Sequence, residues 1–339
     1  MTVDNQLSTM IKSSMVTNTA KRIIEYLKNR GPVPAKDLTE YFEISRQALF
    51  KHLAKLLLAG KIAKVGRPPQ VFYHIKHAQV PSDTRAVKPE SERIIKKNYL
   101  LITPSGQKLE GMAGFIYWCE KNRLDIAKTA EQYVATLAKF NRYKHKGFID
   151  GLPKLKSTFK EIFLDSLFYL DFYSIERFGK TRLGQMLLYA KQSQNKQLIK
   201  QLVAEIAQEI KLIISKFNIE AVGFIPPTVK REVQFMKELQ KYLHLAQPAL
   251  KLVKIKTPIA VPQKSLGKLE DRVENASATI FPEEKRRFGN ILLIDDAVGS
   301  GATMNETAKK IREQKICEGK LLGLAITGSF KGFDIISEI

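Results

Sequence analysis

Along the chain the spacing of apolar positions changes twice. The stretch TAKRIIEYLKN (19–29) sets Ile23, Ile24 and Leu27 on one helical face. Gly31-Pro32-Val33-Pro34 interrupts that period, and AKDLTEYF (35–42) resumes it as a second short helix. Ser45 then precedes RQALFKHLAKLLLA (46–59) as an N-cap, because its hydroxyl can accept from a backbone N–H that the first turn leaves unpaired. Leu49, Leu53, Leu56 and Leu57 are the expected buried stripe of this third helix. Gly60 ends it, and 61–65 and 71–75 read as two strands around Gly66-Arg-Pro-Pro-Gln70. The segment QVPSDTRAVKP (79–89) has the composition of a linker.

Residues 90–185 are expected to be mainly helical. NYLLITPSGQ (98–107) reads as a short strand and turn, and GFIYWC (114–119) as an aromatic cluster at helical spacing. From about residue 186 helices alternate with short apolar strands at AVGFI (221–225), ILLI (291–294) and LLGLAI (321–326). That alternation predicts an α/β domain with a parallel sheet. Three sections follow: 1–80, 81–169 and 170–339. The middle one is expected to be a spacer or docking region without chemistry of its own.

Composition narrows the classes. A chain of 339 residues suits two or three domains, and its 44% hydrophobic content can fill their cores, so global disorder is excluded. The net charge of +22 points to polyanionic partners such as nucleic acid. The first 82 residues are the most basic per residue, with 13 Lys+Arg against 5 Asp+Glu. Two cysteines, Cys119 and Cys317, exclude a disulfide framework and a multi-cysteine zinc site. No apolar run reaches the roughly 18–20 residues of a membrane span, and no signal-peptide layout opens the chain. A cytoplasmic protein without membrane contact is expected.

ISRQALFKHLAKLLLAGKI followed by VGRPPQVFYHI resembles the winged helix-turn-helix of bacterial regulators over about 60 residues. The resemblance implies DNA as a partner, with the start of the helix after Ser45 in the major groove. Arg46 and Gln47 would read base edges there, while Ser45, Lys51 and Lys55 would hold phosphates. Arg67 at the hairpin tip would meet a phosphate or the minor groove. The competing reading is a protein-interaction module whose lysines only solvate its surface. In the middle section Tyr117 and Trp118 suit core packing better than base stacking. Arg142-Tyr-Lys-His-Lys146 suits a solvated face better than a nucleic-acid contact.

The densest chemistry lies in ILLIDDAVGSGAT (291–303). An apolar strand ending in Asp295-Asp296 delivers both carboxylates to the carboxyl edge of a parallel sheet, where ligands bind. Gly299, Ser300 and Gly301 let backbone N–H groups approach a phosphate, and the helix starting near Thr303 adds its positive end. No lysine follows the glycines, which excludes a Walker A loop, and Met304 stands where a dinucleotide fingerprint needs its third glycine. A metal-dependent phosphotransfer fold remains a competing home for the Asp-Asp pair.

This stretch is similar to the phosphoribosyl-pyrophosphate (PRPP) motif of type I phosphoribosyltransferases. The resemblance implies that Asp295 and Asp296 hold ribose hydroxyls and that Ala297, Val298, Gly299, Ser300, Gly301, Ala302 and Thr303 hold the 5′-phosphate. Mg²⁺ would neutralise the pyrophosphate, with Asp295 or Asp296 as the protein groups able to reach it. Residues 257–281 resemble the ComF-like, competence-related branch through Gln263, Leu266, Arg272, Asn275 and Phe281. LLYAK (187–191) and FIPPTVKR (224–231) resemble it too, the latter at the pyrophosphate loop. Lys230 and Arg231 would then stabilise the leaving pyrophosphate and Arg272 would close from a mobile hood. The branch's cysteine-rich zinc module is absent, and Glu232-Val-Gln-Phe-Met236 replaces its Arg-Gly-Phe-Asn run. A phosphoribosyltransferase, a regulator that senses PRPP or a nucleotide, and a competence-type DNA-handling protein all remain open, and a second copy of the chain is among the expected partners.

Overall fold

A computed structural model describes residues 19–30, 33–67, 70–75, 87–227, 229, 231–255, 257–259 and 261–330. The chain divides into two compact units, Met1–Asp83 and Thr84–Ile339.

In the first unit, helix α1 covers residues 19–30 and strand β1 is Val33–Pro34. Helices α2 (Ala35–Phe42) and α3 (Arg46–Leu58) follow, then strands β2 (Ile62–Arg67) and β3 (Gln70–Ile75). The strands form an antiparallel sheet in the order β1-β3-β2, so the expected hairpin gains a third strand. Pro34 is tolerated because β1 is an edge strand, where a missing N–H breaks no ladder. Ile23, Leu27, Leu38, Leu49, Leu53 and Leu56 close one apolar core with Ile62 and Tyr73. Burying each such leucine stabilises by roughly 1.5–3 kcal/mol. Leu57, expected in the buried stripe, lies at its flank and stays half-buried.

The second unit opens with α4 (Pro89–Asn98), the hairpin of β4 (Leu100–Ile102) and β5 (Lys108–Glu110), α5 (Gly111–Lys121) and α6 (Ile126–Asn141). Next come β6 (Lys144–His145), β7 (Phe148–Asp150), α7 (Leu152–Thr158) and β8 (Ser166–Phe172). A small hairpin of β9 (Ser174–Ile175) and β10 (Gly179–Lys180) leads to α8 (Arg182–Ser193) and α9 (Lys196–Lys216). The remainder is β11 (Ala221–Phe224), α10 (Phe235–Leu243), β12 (Leu252–Lys254), α11 (Leu269–Thr279), β13 (Ile280–Pro282), β14 (Ile291–Val298), α12 (Ala302–Glu313) and β15 (Leu321–Gly328).

Six of these strands make one sheet in the order β11-β14-β15-β8-β7-β6. The first four are parallel, and β7 and β6 extend the edge antiparallel. The fold is therefore mixed α/β with a mainly parallel central sheet. Both faces are covered, which is why β14 begins as an unbroken apolar run rather than an alternation. Leu292 and Ile294 pack towards α8, α9 and α10. Ile291 and Leu293 pack with Met304, Ala308 and Ile311 of α12 and with Phe115, Tyr133 and Leu155.

Helices α4 to α7 thus share a core with α12 and the sheet, and the boundary expected between 169 and 170 falls inside β8. The aromatic cluster is part of that core: Phe115 meets Tyr99 at 5.2 Å, and Trp118 meets Phe178 at 5.5 Å between ring centres. Cys119 and Cys317 are both buried free thiols. No described helix is long and apolar enough to cross a membrane.

Candidate functional site

In the first unit the sequence positions Arg46 and Gln47 on the outer face of α3. The Ser45 hydroxyl caps the helix by accepting the Ala48 N–H at 3.2 Å. With Leu49, Leu53 and Leu56 turned inward, Ser45, Arg46, Gln47, Lys51 and Lys55 are all exposed on the other side. Gln47, Lys51 and Lys55, four residues apart, make one stripe along the helix. Phe50 lies beside this stripe at 39% exposure, with the Arg46 guanidinium 5.7 Å from its ring centre. Sequence reasoning passed over Phe50, although an aromatic outside the apolar stripe of an amphipathic helix was a legible signal. A donor-bearing arginine backed by an apolar ring suits a groove that offers both base acceptors and thymine methyls. Arg67 ends β2 opposite Gln70, and Pro68 and Pro69 lie outside the described residues.

In the second unit β14 runs past its buried half to carry Asp295 and Asp296 to the carboxyl edge of the parallel strands. The chain then turns through Gly299 and Ser300 into Gly301, whose φ of 89° makes it the N-cap of α12. The twelve-residue α12 presents its unpaired N–H groups and positive end to the same space. Ser300 is buried, and its hydroxyl accepts the Ala302 N–H at 3.3 Å, so it steadies the first turn. Asn305 fastens α12 from behind, receiving the Phe163 N–H at 3.0 Å and donating to the Glu161 carbonyl at 3.0 Å.

A cavity of about 260 Å³ opens here. Asp295, Asp296 and every residue from Ala297 to Thr303 line it, together with Arg231 and Arg272. The sequence-predicted positions are therefore brought together, except Lys230, which lies outside the described residues. The opposite wall is apolar, with Ile225, Pro226, Pro227, Phe235 and Met236.

Segment 257–281 is latched to itself. Gln263 donates to the Arg272 carbonyl at 2.9 Å and to Asn275 Oδ1 at 3.3 Å, and Arg272 Nε donates to the Leu266 carbonyl at 2.8 Å. These four positions hold the loop against α11, and Arg272 is buried with its guanidinium near Gly299. Phe281 packs beneath Lys310, whose ammonium is 3.4 Å from the ring centre.

The acids carry counter-charges. Lys191 of α8 places Nζ 2.7 Å from Asp296 Oδ2. Asp295 Oδ1 accepts the Asp296 N–H at 2.7 Å. Burial, then the neighbouring Asp296 charge, pushes Asp295 up to about 7, against the pull of Lys191 and Lys254. Burial pushes the half-buried Lys254 of β12 down, and Asp295 opposes that shift. The Arg231 guanidinium donates to the Lys191 carbonyl, and Gln194 Oε1 accepts the Val233 N–H at 2.9 Å, so the end of α8 is tied to the loop after β11. Lys191 is a site residue that sequence reasoning quoted without assigning a role.

Among the described residues no group of three His, Cys, Asp or Glu side chains is placed to hold a metal. An ammonium already sits on Asp296.

Residues 19–68 match the family model of an HTH domain. The match supports a helix-turn-helix domain in the first unit and DNA as its partner. No curated protein matches the chain.

Proposed function

We propose that the chain is a DNA-binding protein whose second unit is a type I phosphoribosyltransferase-like domain of the ComF-like branch, binding PRPP or a related phosphorylated ribose. One observation carries this reading: Asp295, Asp296 and the Gly299–Thr303 turn at the head of α12 line a single cavity with Arg231 and Arg272. Two carboxylates accept hydrogen bonds from a ribose diol, and the turn with its helix end receives the 5′-phosphate.

As a transferase, the site would position an acceptor nitrogen in line with C1 of the ribose. The new C1–N bond forms as the C1–O bond breaks, and pyrophosphate leaves with the electron pair. Arg231 and Arg272 would stabilise charge on the leaving group, so catalysis would be positional and electrostatic. The second reading, a regulator that senses the ligand, is favoured by Phe235 and Met236. They put apolar side chains in the cavity wall just after the pyrophosphate-loop segment.

Calorimetry with PRPP and Mg²⁺ tests the site. Binding should be saturable in the wild type and lost in the Asp295→Asn/Asp296→Asn variant with its fold intact. Equal binding by both proteins would overturn the assignment. Pyrophosphate release with a panel of bases identifies a transferase. Specific DNA binding that changes with PRPP identifies a sensor.

A further inference from the structure

The acid pair comes with a built-in cation placed by the fold. Lys191 reaches Asp296 from the last turn of α8. Its backbone carbonyl is held by Arg231, so the ammonium is delivered by a fixed main chain. Lys254 of β12, a strand paired with β13 outside the main sheet, adds a favourable charge effect on Asp295. The Lys191–Asp296 contact is only part-exposed, with side chains 29% and 17% accessible.

We propose that Lys191 takes the place of a divalent cation at the acid pair, so that the site accepts the diol of any ribose 5-phosphate ligand without a metal, pyrophosphate-bearing or not. The proposal rests on the phosphoribosyl reading of this cavity and names its ligand class more narrowly. An acid already paired with an ammonium repels a phosphorylated sugar less than a bare carboxylate does, so no further cation is needed for that purpose. Magnesium gives up its water reluctantly and demands near-octahedral geometry, whereas an ammonium already seated on its carboxylate imposes no such geometry. Removing that lysine would leave a carboxylate without its counter-charge, and a metal ion could then occupy that place.

The test titrates ribose 5-phosphate into the full chain by calorimetry, in EDTA and again in Mg²⁺. The wild-type affinities should agree within about three-fold, since three-fold is below the 1.4 kcal/mol that a ten-fold change represents. The 2-deoxy sugar phosphate, lacking one hydroxyl, should bind at least about ten-fold more weakly, because a desolvated carboxylate loses its partner. Lys191→Met should lose about ten-fold or more in EDTA and recover in Mg²⁺, while Lys191→Arg keeps the metal-independent affinity. A wild-type affinity that drops ten-fold or more on removing Mg²⁺ would overturn the proposal and leave the phosphoribosyl reading standing. So would a Lys191→Met variant that melts and binds like the wild type in both buffers. Failure of both sugar phosphates to bind in either buffer would overturn the proposal, and failure of PRPP with Mg²⁺ to bind as well would overturn that reading with it.

Discussion

Gly301 links the fold to the cavity, and replacing it by alanine should damage both. Its φ of 89° lies in the left-handed region, where an L-residue pays roughly 1–2 kcal/mol. A Cβ there would also stand 2.3 Å from Leu155 Cδ2, with Leu155 Cγ at 3.6 Å and Phe159 Cε2 at 3.7 Å. Leu155 is 1% exposed within the core, so it has no open space to retreat into. Overpacking of that kind costs about 1–3 kcal/mol. Together the two effects give a loss of about 2–5 kcal/mol. For a unit of this size that corresponds to a fall in Tm of roughly 4–20 °C. Gly299→Ala is the internal control. Its Cβ would meet nothing nearer than Arg272 Nη1 at 3.9 Å, so stability should change by no more than about 0.5 kcal/mol. The assay is thermal or urea unfolding followed by tryptophan fluorescence. Trp118 is the chain's single tryptophan and belongs to the second unit, so the signal reports that unit alone. Equal midpoints for the two variants would refute the reasoning, because it depends wholly on the backbone angle and the contact with Leu155.

Four further outcomes follow from the geometry. Ser45→Ala removes the hydroxyl that accepts the Ala48 N–H and should destabilise α3 by about 1 kcal/mol, seen as faster amide exchange in that helix; unchanged exchange would remove Ser45 as a cap. In DNA-binding assays Arg46→Ala should relax sequence preference. Lys51→Ala should instead weaken all sequences alike and lower the salt slope by about 0.9, and the reverse pattern would exchange their roles. Asn305→Ala leaves the Phe163 N–H and the Glu161 carbonyl without their side-chain partner and should cost about 1–3 kcal/mol, measured by the same Trp118 signal; a loss near zero would mean that water replaces the amide. Asp295 has its pKa raised from 3.8 to about 7 on folding, so the folded state holds the extra proton between those values and its stability falls as pH rises through that window. Asp295→Asn should flatten that fall, by at most about 1.4 kcal/mol per pH unit, and parallel wild-type and variant curves would show that Asp295 is not the group responsible.

Much of the fold was legible because its elements obey local rules. The period of Leu49, Leu53 and Leu56, the Ser45 cap and the glycine after the helix specify α3 without reference to the rest of the chain. The apolar runs at 221–225, 291–294 and 321–326 emerge as β11, β14 and β15, since strands buried on both faces carry their own signature. Strand β8 was not legible. Ser166-Leu-Phe-Tyr-Leu-Asp-Phe172 lies between helical stretches, and only pairing with β15 and β7 makes it a central strand. Strand β1 likewise exists only because Val33 finds Tyr73 across forty residues.

The same division holds at the cavity. The sequence by itself determined where the carboxylates and the small-residue turn lie, because both belong to one continuous strand–turn–helix whose geometry is local. It also determined which face of α3 is free for DNA, because the buried period leaves the other face outside. Only the tertiary structure decided what stands opposite the acids. Lys191 comes from a helix more than a hundred residues earlier, and the apolar wall from the segment after β11. Spacing along a chain predicts neighbours within an element; charge balance in a cavity is set by elements that meet only when the sheet has assembled.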